Sequence, residues 1–254
     1  MLFPISDDDR QLDGPAYVTL LLLAANVVIF ILQVADPSLT YGWSVVPAEI
    51  TTGTDLTSPV RGIPQEPGPG GGAGAPFIYF TLISSMFMHG GFGHIAGNML
   101  YLWIFGDNVE HRFGPLPFLA FYLVSGLAAT FTQIALNPDG IIPNLGASGA
   151  ISGVLGAYLV LFPRNKVNAI FFYRVVVVPA VVALGLWIAM QLFSGYASIG
   201  ATAEDTGGVA YGAHIGGFVA GAVFGGVARL MGTKERPNVL SGAIRRDAGN
   251  RVLW

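Results

Sequence analysis

The sequence predicts an all-α polytopic membrane protein, a bundle of six transmembrane helices. Three observations carry this expectation. Of the 254 residues 53% are apolar and only 11% charged, where a soluble domain carries about 25% charged residues. Apolar runs long enough to cross a hydrocarbon core of about 30 Å recur along the chain. The cationic residues fall between those runs with a one-sided bias. The net charge of -3 gives no reason to expect nucleic acid as a partner, and the absence of cysteine removes disulfides, thiolate metal ligands and cysteine nucleophiles together. Covalent chemistry must therefore run through Ser, Thr, Lys or a carboxylate.

The first span runs from Ala16 to Val34. The segment before it, residues 1–15, is acidic at Asp7, Asp8 and Asp9, unlike the basic start of a cleaved signal sequence. Residues 35–91 read as an outer loop. Its stretch Glu66 to Pro76 is too rich in Gly and Pro for regular structure, and Phe77 to Met88 is apolar but too short to span, hence interfacial or re-entrant. Further spans fit Phe92 to Gly106, Leu116 to Leu136, Ser148 to Phe162, Val175 to Phe193 and Val209 to Met231, closing a membrane domain over residues 16–231. The tail, 232–254, is basic at Lys234, Arg236, Arg245, Arg246 and Arg251.

With six spans, all of the twelve Lys and Arg residues except Arg61 lie on the side shared by both termini. Positive residues in short flanks stay cytoplasmic, so both termini are expected there. The N-terminus lacks the Arg- and Ser-rich character of a transit peptide, which favours a bacterial cytoplasmic membrane.

Ionisable side chains are expensive to hold in a bilayer, so each is a candidate for function. The spans contain His94 and His214, accompanied by the polar residues Asn98, Ser148 and Ser152. Counting each helix up from its basic anchor at about 1.5 Å per residue puts Ser148 roughly 24 Å above Arg164, His214 roughly 22 Å above Arg229 and Asn98 roughly 21 Å above Arg112. The three share one layer, with His94 one turn higher. The fourth span is short, so its N-terminus starts inside the bilayer and is reached by the non-helical stretch Asn137 to Ala147, which is tolerated only where protein or water covers it. Free N–H groups and the positive dipole end at such a terminus favour a developing negative charge.

Around that terminus the chain reads Gly146-Ala147-Ser148-Gly149-Ala150-Ile151-Ser152-Gly153. Glycines beside a serine allow close backbone approach. The hydroxyl can then act as a nucleophile while its own N–H binds an oxyanion, or it can simply cap a helix within a small-residue packing face. The sixth span weights the first reading. Its Gly217, Gly221 and Gly225 repeat every four residues, as do Gly149 and Gly153, so the two helices can pack with backbones close and set Ser148 opposite His214. A desolvated imidazole stays neutral, as a general base must.

No carboxylate lies within the spans to orient His214. Glu204 and Asp205 belong to an outer loop, Asp107 and Glu110 to the opposite end, so a Ser–His dyad is expected. His94 and Asn98 sit one turn apart on one helix face, as hydrogen-bond donors to an oxyanion or as interhelical contacts. His89 could join His94 and His214 around a metal, but there is neither a His-Glu-x-x-His spacing nor an acidic ligand at that depth. We expect no metal and no cofactor, with His89 and His111 structural.

These motifs, in order, resemble those of the rhomboid intramembrane serine proteases: His94-x-x-x-Asn98, the Gly106 to Gly114 stretch with Glu110 and Arg112, Gly146-Ala-Ser148-Gly149, and Ala213-His214-x-x-Gly217-x-x-x-Gly221. The resemblance implies a six-helix core with Ser148 as nucleophile and His214 as base, and an oxyanion and substrate-binding set of His94, Asn98, Gly146 and the Ser148 N–H. It also implies a mobile entrance at the fifth span and the loop after it, and membrane-anchored protein substrates cut within or near their own span in the bilayer. Many members carry an aromatic four residues after the nucleophile. Here that position is Ser152, and Tyr211, one turn before His214, is the available substitute. Two other function classes compete: a catalytically inactive rhomboid-like binding factor, which usually lacks the serine or the histidine, and a small-solute transporter, whose inverted repeat is not evident here.

Overall fold

The computed structural model describes residues 2–7, 14–56, 77–197 and 209–232. Arg10, Arg61, Glu204, Asp205, the Glu66 to Pro76 stretch and the basic tail lie outside the described residues. In chain order the elements are β1 (Leu2–Ser6), α1 (Tyr17–Ala35), α2 (Ser38–Gly42), α3 (Pro47–Thr52), α4 (Phe77–Ser84) with a 3-10 turn (Ser85–Phe87), α5 (Phe92–Phe113), α6 (Pro115–Leu136), α7 (Ser148–Leu161), β2 (Lys166–Phe171), β3 (Arg174–Pro179), α8 (Ala180–Ala197) and α9 (Tyr211–Leu230).

This is a helical membrane bundle, as the composition requires. Of its helices α1, α6, α8 and α9 are long and apolar enough to cross a membrane. The other two bundle helices depart from that pattern for visible reasons. α5 is long, but its last turns carry Asp107, Glu110 and Arg112, and α7 has only 14 residues. Gly114, at φ 87°, ends α5, and Pro115 opens α6 at a position where its missing N–H costs nothing.

The structure corrects two boundaries. α5 continues to Phe113 rather than stopping at Gly106. The fifth helix begins at Ala180 rather than Val175, because the β-branched run Arg174–Pro179 pairs as a strand. Between α1 and α4 the chain also forms two short helices, α2 and α3. The strand β2 pairs antiparallel with both β3 and β1, giving a three-stranded sheet in the order β1-β2-β3. Hydropathy hides this sheet because its strands merge with the flanking apolar runs. It carries a topological consequence: the N-terminal strand and the α7–α8 connection lie at one end of the bundle, with four bundle helices between them in sequence.

Large apolar side chains are exposed on the outer faces, among them Leu21, Ile31, Leu186, Phe193, Val223 and Leu230. A soluble protein would not leave so many uncovered, whereas lipid tails cover them in a membrane. α7 is the central helix, with Ala150, Ile151, Val154, Leu155, Ala157 and Tyr158 all buried. Its closest neighbour is α9, and glycine sets the approach. A Cβ at Gly217 would run into the Gly149 carbonyl, one at Gly221 into the Gly153 carbonyl and one at Gly156 into the Phe218 carbonyl. Without a hydrophobic drive between helices in lipid, this close backbone packing is what holds α7 and α9 together.

Candidate active site

Ser148 is the first residue of α7, and no side chain caps that terminus. The preceding stretch is non-helical but not orphaned. The Ala48 N–H donates to the Gly140 carbonyl (3.0 Å), Val45 and Asn144 exchange backbone bonds (3.1 and 2.7 Å), and the Gly146 N–H donates to the Ser85 carbonyl (2.8 Å). The segment between α1 and α5 thus pairs part of the backbone of 137–147 and allows α7 to start within the bundle. Gly146 turns the chain into α7 at φ 126°, a conformation open to glycine.

His214 lies in the first turn of α9, held beside α7 by the glycine contacts below it. Its Nε2 is 2.8 Å from Ser148 Oγ. His94, on α5, lies against Gly146 so closely that a Cβ there would sit 2.8 Å from Nε2. Its Nδ1 accepts the Gly90 N–H at 3.3 Å, which leaves the proton of the neutral ring on Nε2, the atom facing Gly146. Asn98 is buried one turn further along α5, and its Nδ2 has no hydrogen-bond partner. An orphaned buried donor is costly unless a ligand completes it. A cavity of about 40 Å³ beside Ser148, lined also by Ser85, Met86, Gly126, Gln133 and Gly146, has room for water. A hydroxyl donating to an imidazole acceptor, with N–H donors gathered nearby, is an arrangement suited to acyl transfer.

A Rhomboid domain model matches residues 77–230 of this chain. The chain belongs to the rhomboid family. It is similar to the mitochondrial Rhomboid protein 1 of Saccharomyces cerevisiae, 33% identical over 169 residues that cover 65% of this chain and 46% of the yeast one. Rhomboid protease GluP of Bacillus subtilis is 33% identical over 151 residues, 58% of this chain and 26% of its own length. The human presenilin-associated rhomboid-like protein, mitochondrial, is 29% identical over 171 residues, covering 66% and 37% respectively. This rhomboid thus spans between about a quarter and a half of the length of these curated relatives.

The surroundings of His214 in this rhomboid are built by α8 and α9. Ser152 is buried, its Oγ donating to the Ser148 carbonyl of its own helix at 2.6 Å. Tyr211 packs edge-on against His214 with ring centroids 6.5 Å apart. A second aromatic, Trp187 on α8, lies 6.0 Å from the imidazole at a shallow 37°. One turn along α8 from Trp187, Gln191 places Oε1 2.8 Å from His214 Nδ1. Sequence reasoning searched for a carboxylate here and passed over this amide, although a lone Gln in an otherwise apolar membrane helix was the available signal. Among the described residues no group of His, Cys, Asp and Glu side chains could hold a metal ion. His89 is enclosed against Phe30 and His94, its backbone bonded through the Gln33 amide. His111 lies at the other end of α5, with both ring nitrogens against backbone carbonyls.

Proposed function

We propose that this rhomboid is an intramembrane serine endopeptidase that cuts membrane-anchored proteins in or near their spanning segment. The contact between Ser148 Oγ and His214 Nε2 carries the reading, because it sets an acceptor nitrogen against a hydroxyl at a helix N-terminus. Ser148 Oγ attacks the scissile carbonyl carbon as its proton passes to His214 Nε2. The oxyanion is met by the Ser148 N–H, His94 Nε2–H and Asn98 Nδ2–H, with Gly146 leaving room for the approach. The imidazolium returns its proton to the leaving amine, and water, with His214 again as base, releases the acyl group.

Partners are the lipid bilayer and substrates with a membrane segment. The domain proposal keeps 16–231 as the membrane unit, with 1–15 and 232–254 in the cytoplasm and the site open to the outer side of a bacterial inner membrane. The sheet supports one part of this, since it joins the N-terminal strand and the basic α7–α8 connection, at Arg164, Lys166 and Arg174, on one side.

The test is covalent labelling of the detergent-solubilised protein by a fluorophosphonate, with cleavage of a fluorescent single-span peptide in parallel. Both activities are expected in wild type. Ser148→Ala and His214→Ala should each abolish them, by about 10⁶-fold for removal of a nucleophile or base, while the helical fold persists. A folded wild type that neither labels nor cleaves would indicate a binding factor, and labelling that survives Ser148→Ala would overturn the assignment of the serine.

A further inference from the structure

We infer that Gln191 is a positioning residue for His214, so that the site works as a Ser148–His214–Gln191 chain rather than as a dyad. The inference rests on the serine-protease reading above and adds a third member, supplied by α8. Three observations support it.

The first is geometric. The two ring nitrogens of His214 have partners at 2.8 Å on opposite sides, Ser148 Oγ and Gln191 Oε1. An amide oxygen only accepts, so it requires the proton of the neutral ring on Nδ1 and leaves Nε2 as the acceptor for the Ser148 hydroxyl. The same oxygen still accepts from Nδ1–H after Nε2 has taken the serine proton, so the bond persists through the charged intermediate. His94 supplies the converse case within the same site, where a backbone donor on Nδ1 places the proton on Nε2. The two histidines thus hold opposite tautomers, each fixed by the partner of its second nitrogen.

The second is placement. α8 presents Trp187, Gln191 and Gly195 at four-residue spacing, all toward α9. Trp187 lies near the His214 and Phe218 rings, and a Cβ at Gly195 would meet Tyr211 and Ile215. Gln191 is the polar member of this stripe, while Leu186, Leu192 and Phe193 are exposed on the helix's other faces. A glutamine in a lipid-facing helix costs free energy unless it is bonded, and its bond is to the histidine.

The third is the gap it fills. Position 152, which carries an aromatic in many rhomboids, is a serine bonded to its own helix. In this chain the ring contacts come from Trp187 on α8 and Tyr211 on α9, and the second-nitrogen contact from Gln191 on α8.

The deciding experiment measures the kinetics of fluorophosphonate labelling in wild type, Gln191→Met, Gln191→Glu, Ser148→Ala and His214→Ala, separating the maximal labelling rate from the half-saturating concentration. Methionine matches glutamine in length without its polar atoms, and thermal unfolding checks that each variant folds. Gln191→Met should lower the maximal rate about 10- to 100-fold, by analogy with loss of the group that orients a metal-bound histidine, with half-saturation within about twofold. Gln191→Glu, which keeps an acceptor at the same reach, should hold the rate to within about threefold and, because its charge favours the imidazolium, move the acid limb of the labelling pH profile upward; a purely packing role predicts no such shift. If Gln191→Met fails to fold, Gln191→Ala takes its place in the same comparison. An unchanged rate in Gln191→Met with labelling lost in His214→Ala overturns this inference and leaves the protease reading standing, as does Gln191→Glu behaving like Gln191→Met. Labelling that survives Ser148→Ala or His214→Ala, or is absent from folded wild type, overturns the protease reading itself.

Discussion

The two ends of α5 hold polar residues in an apolar bundle in opposite ways. At the Glu110 end the buried carboxylate is saturated, although Arg112 Nε beside it has no partner. The Glu110 carboxylate is buried and accepts three bonds from the start of α1: the Val18 N–H at 3.0 Å, the Thr19 N–H at 2.7 Å and the Thr19 hydroxyl at 2.8 Å. Ala16, at the N-cap of α1, has no side-chain acceptor, so a residue some ninety positions away caps the helix instead. Nearby, the Tyr158 hydroxyl donates to Asp7, which also receives Asn108 Nδ2 at 2.9 Å. At the Ser148 end, Asn98 Nδ2 is buried and unpaired, His94 is exposed, and the terminus of α7 lacks a side-chain cap. The Glu110 carboxylate ties two helices together through saturated bonds, whereas the open Asn98 amide sits on the helix face that also carries His94, where a ligand could complete it.

The contrast predicts that stability and activity separate by end. Glu110→Ala should give the largest loss of stability. It removes one acceptor from three donors and leaves α1 backbone N–H groups unpaired, at a cost of about 3–5 kcal/mol. Thermal unfolding of the solubilised protein should show a large fall in Tm, with fluorophosphonate labelling per folded molecule unchanged at low temperature. Labelling that fell in step with Ser148→Ala, at an unchanged Tm, would break the comparison.

Asn98→Ala should do the reverse. Because Nδ2 has no partner, its removal forfeits no hydrogen bond at that atom, and Tm should move by less than about 1 kcal/mol equivalent. Peptide cleavage should fall by about 10²- to 10³-fold, the usual effect of losing one oxyanion donor. An unchanged cleavage rate would mean that the open amide is not aimed at the reacting carbonyl.

The same contrast explains what the sequence disclosed. The glycine ladders Gly149/Gly153 and Gly217/Gly221 were legible because a four-residue period in two apolar runs leaves few other ways to pack, and with that packing Ser148 and His214 meet. Depth counting set Ser148 and His214 at similar height, and the two are in contact, since a helix rises by a fixed amount per residue. What escaped was set by partners distant in sequence. The strand β3 was read as helix because Val175 to Val178 suits either a buried strand or a membrane span, and only β2 decides between them. Gln191 was overlooked because its role depends on which face α8 turns toward α9, and a mostly apolar helix carries no period to reveal that face. The link from Glu110 to α1 was likewise hidden, since a cap from another helix leaves no local motif.

The smallest expected effect sharpens the comparison through a second buried carboxylate. Glu49, in the first turn of α3, packs at the Ser148 end, where α3 helps to cover the 137–147 stretch. It receives one backbone donor, the Leu56 N–H at 3.0 Å, where Glu110 receives three. Burial pushes its carboxyl from an ordinary value of 4.5 up to about 7, the Leu56 N–H opposing the rise and the nearby Asp55 charge adding to it. A group whose folded value is raised favours its protonated form, so the stability it contributes is complete below about pH 4.5 and is lost as pH rises through about 7. Shared with Asp55 and relieved by local opening, the loss should be on the order of 1 kcal/mol. Hydrogen exchange of the α3 amides, corrected for the intrinsic pH dependence, should therefore accelerate between pH 5 and pH 8 in wild type and stay flat in Glu49→Gln. A wild-type profile as flat as the variant's would mean that the single donor from Leu56 suffices to hold a buried carboxylate, and that the number of saturating donors does not separate the two ends.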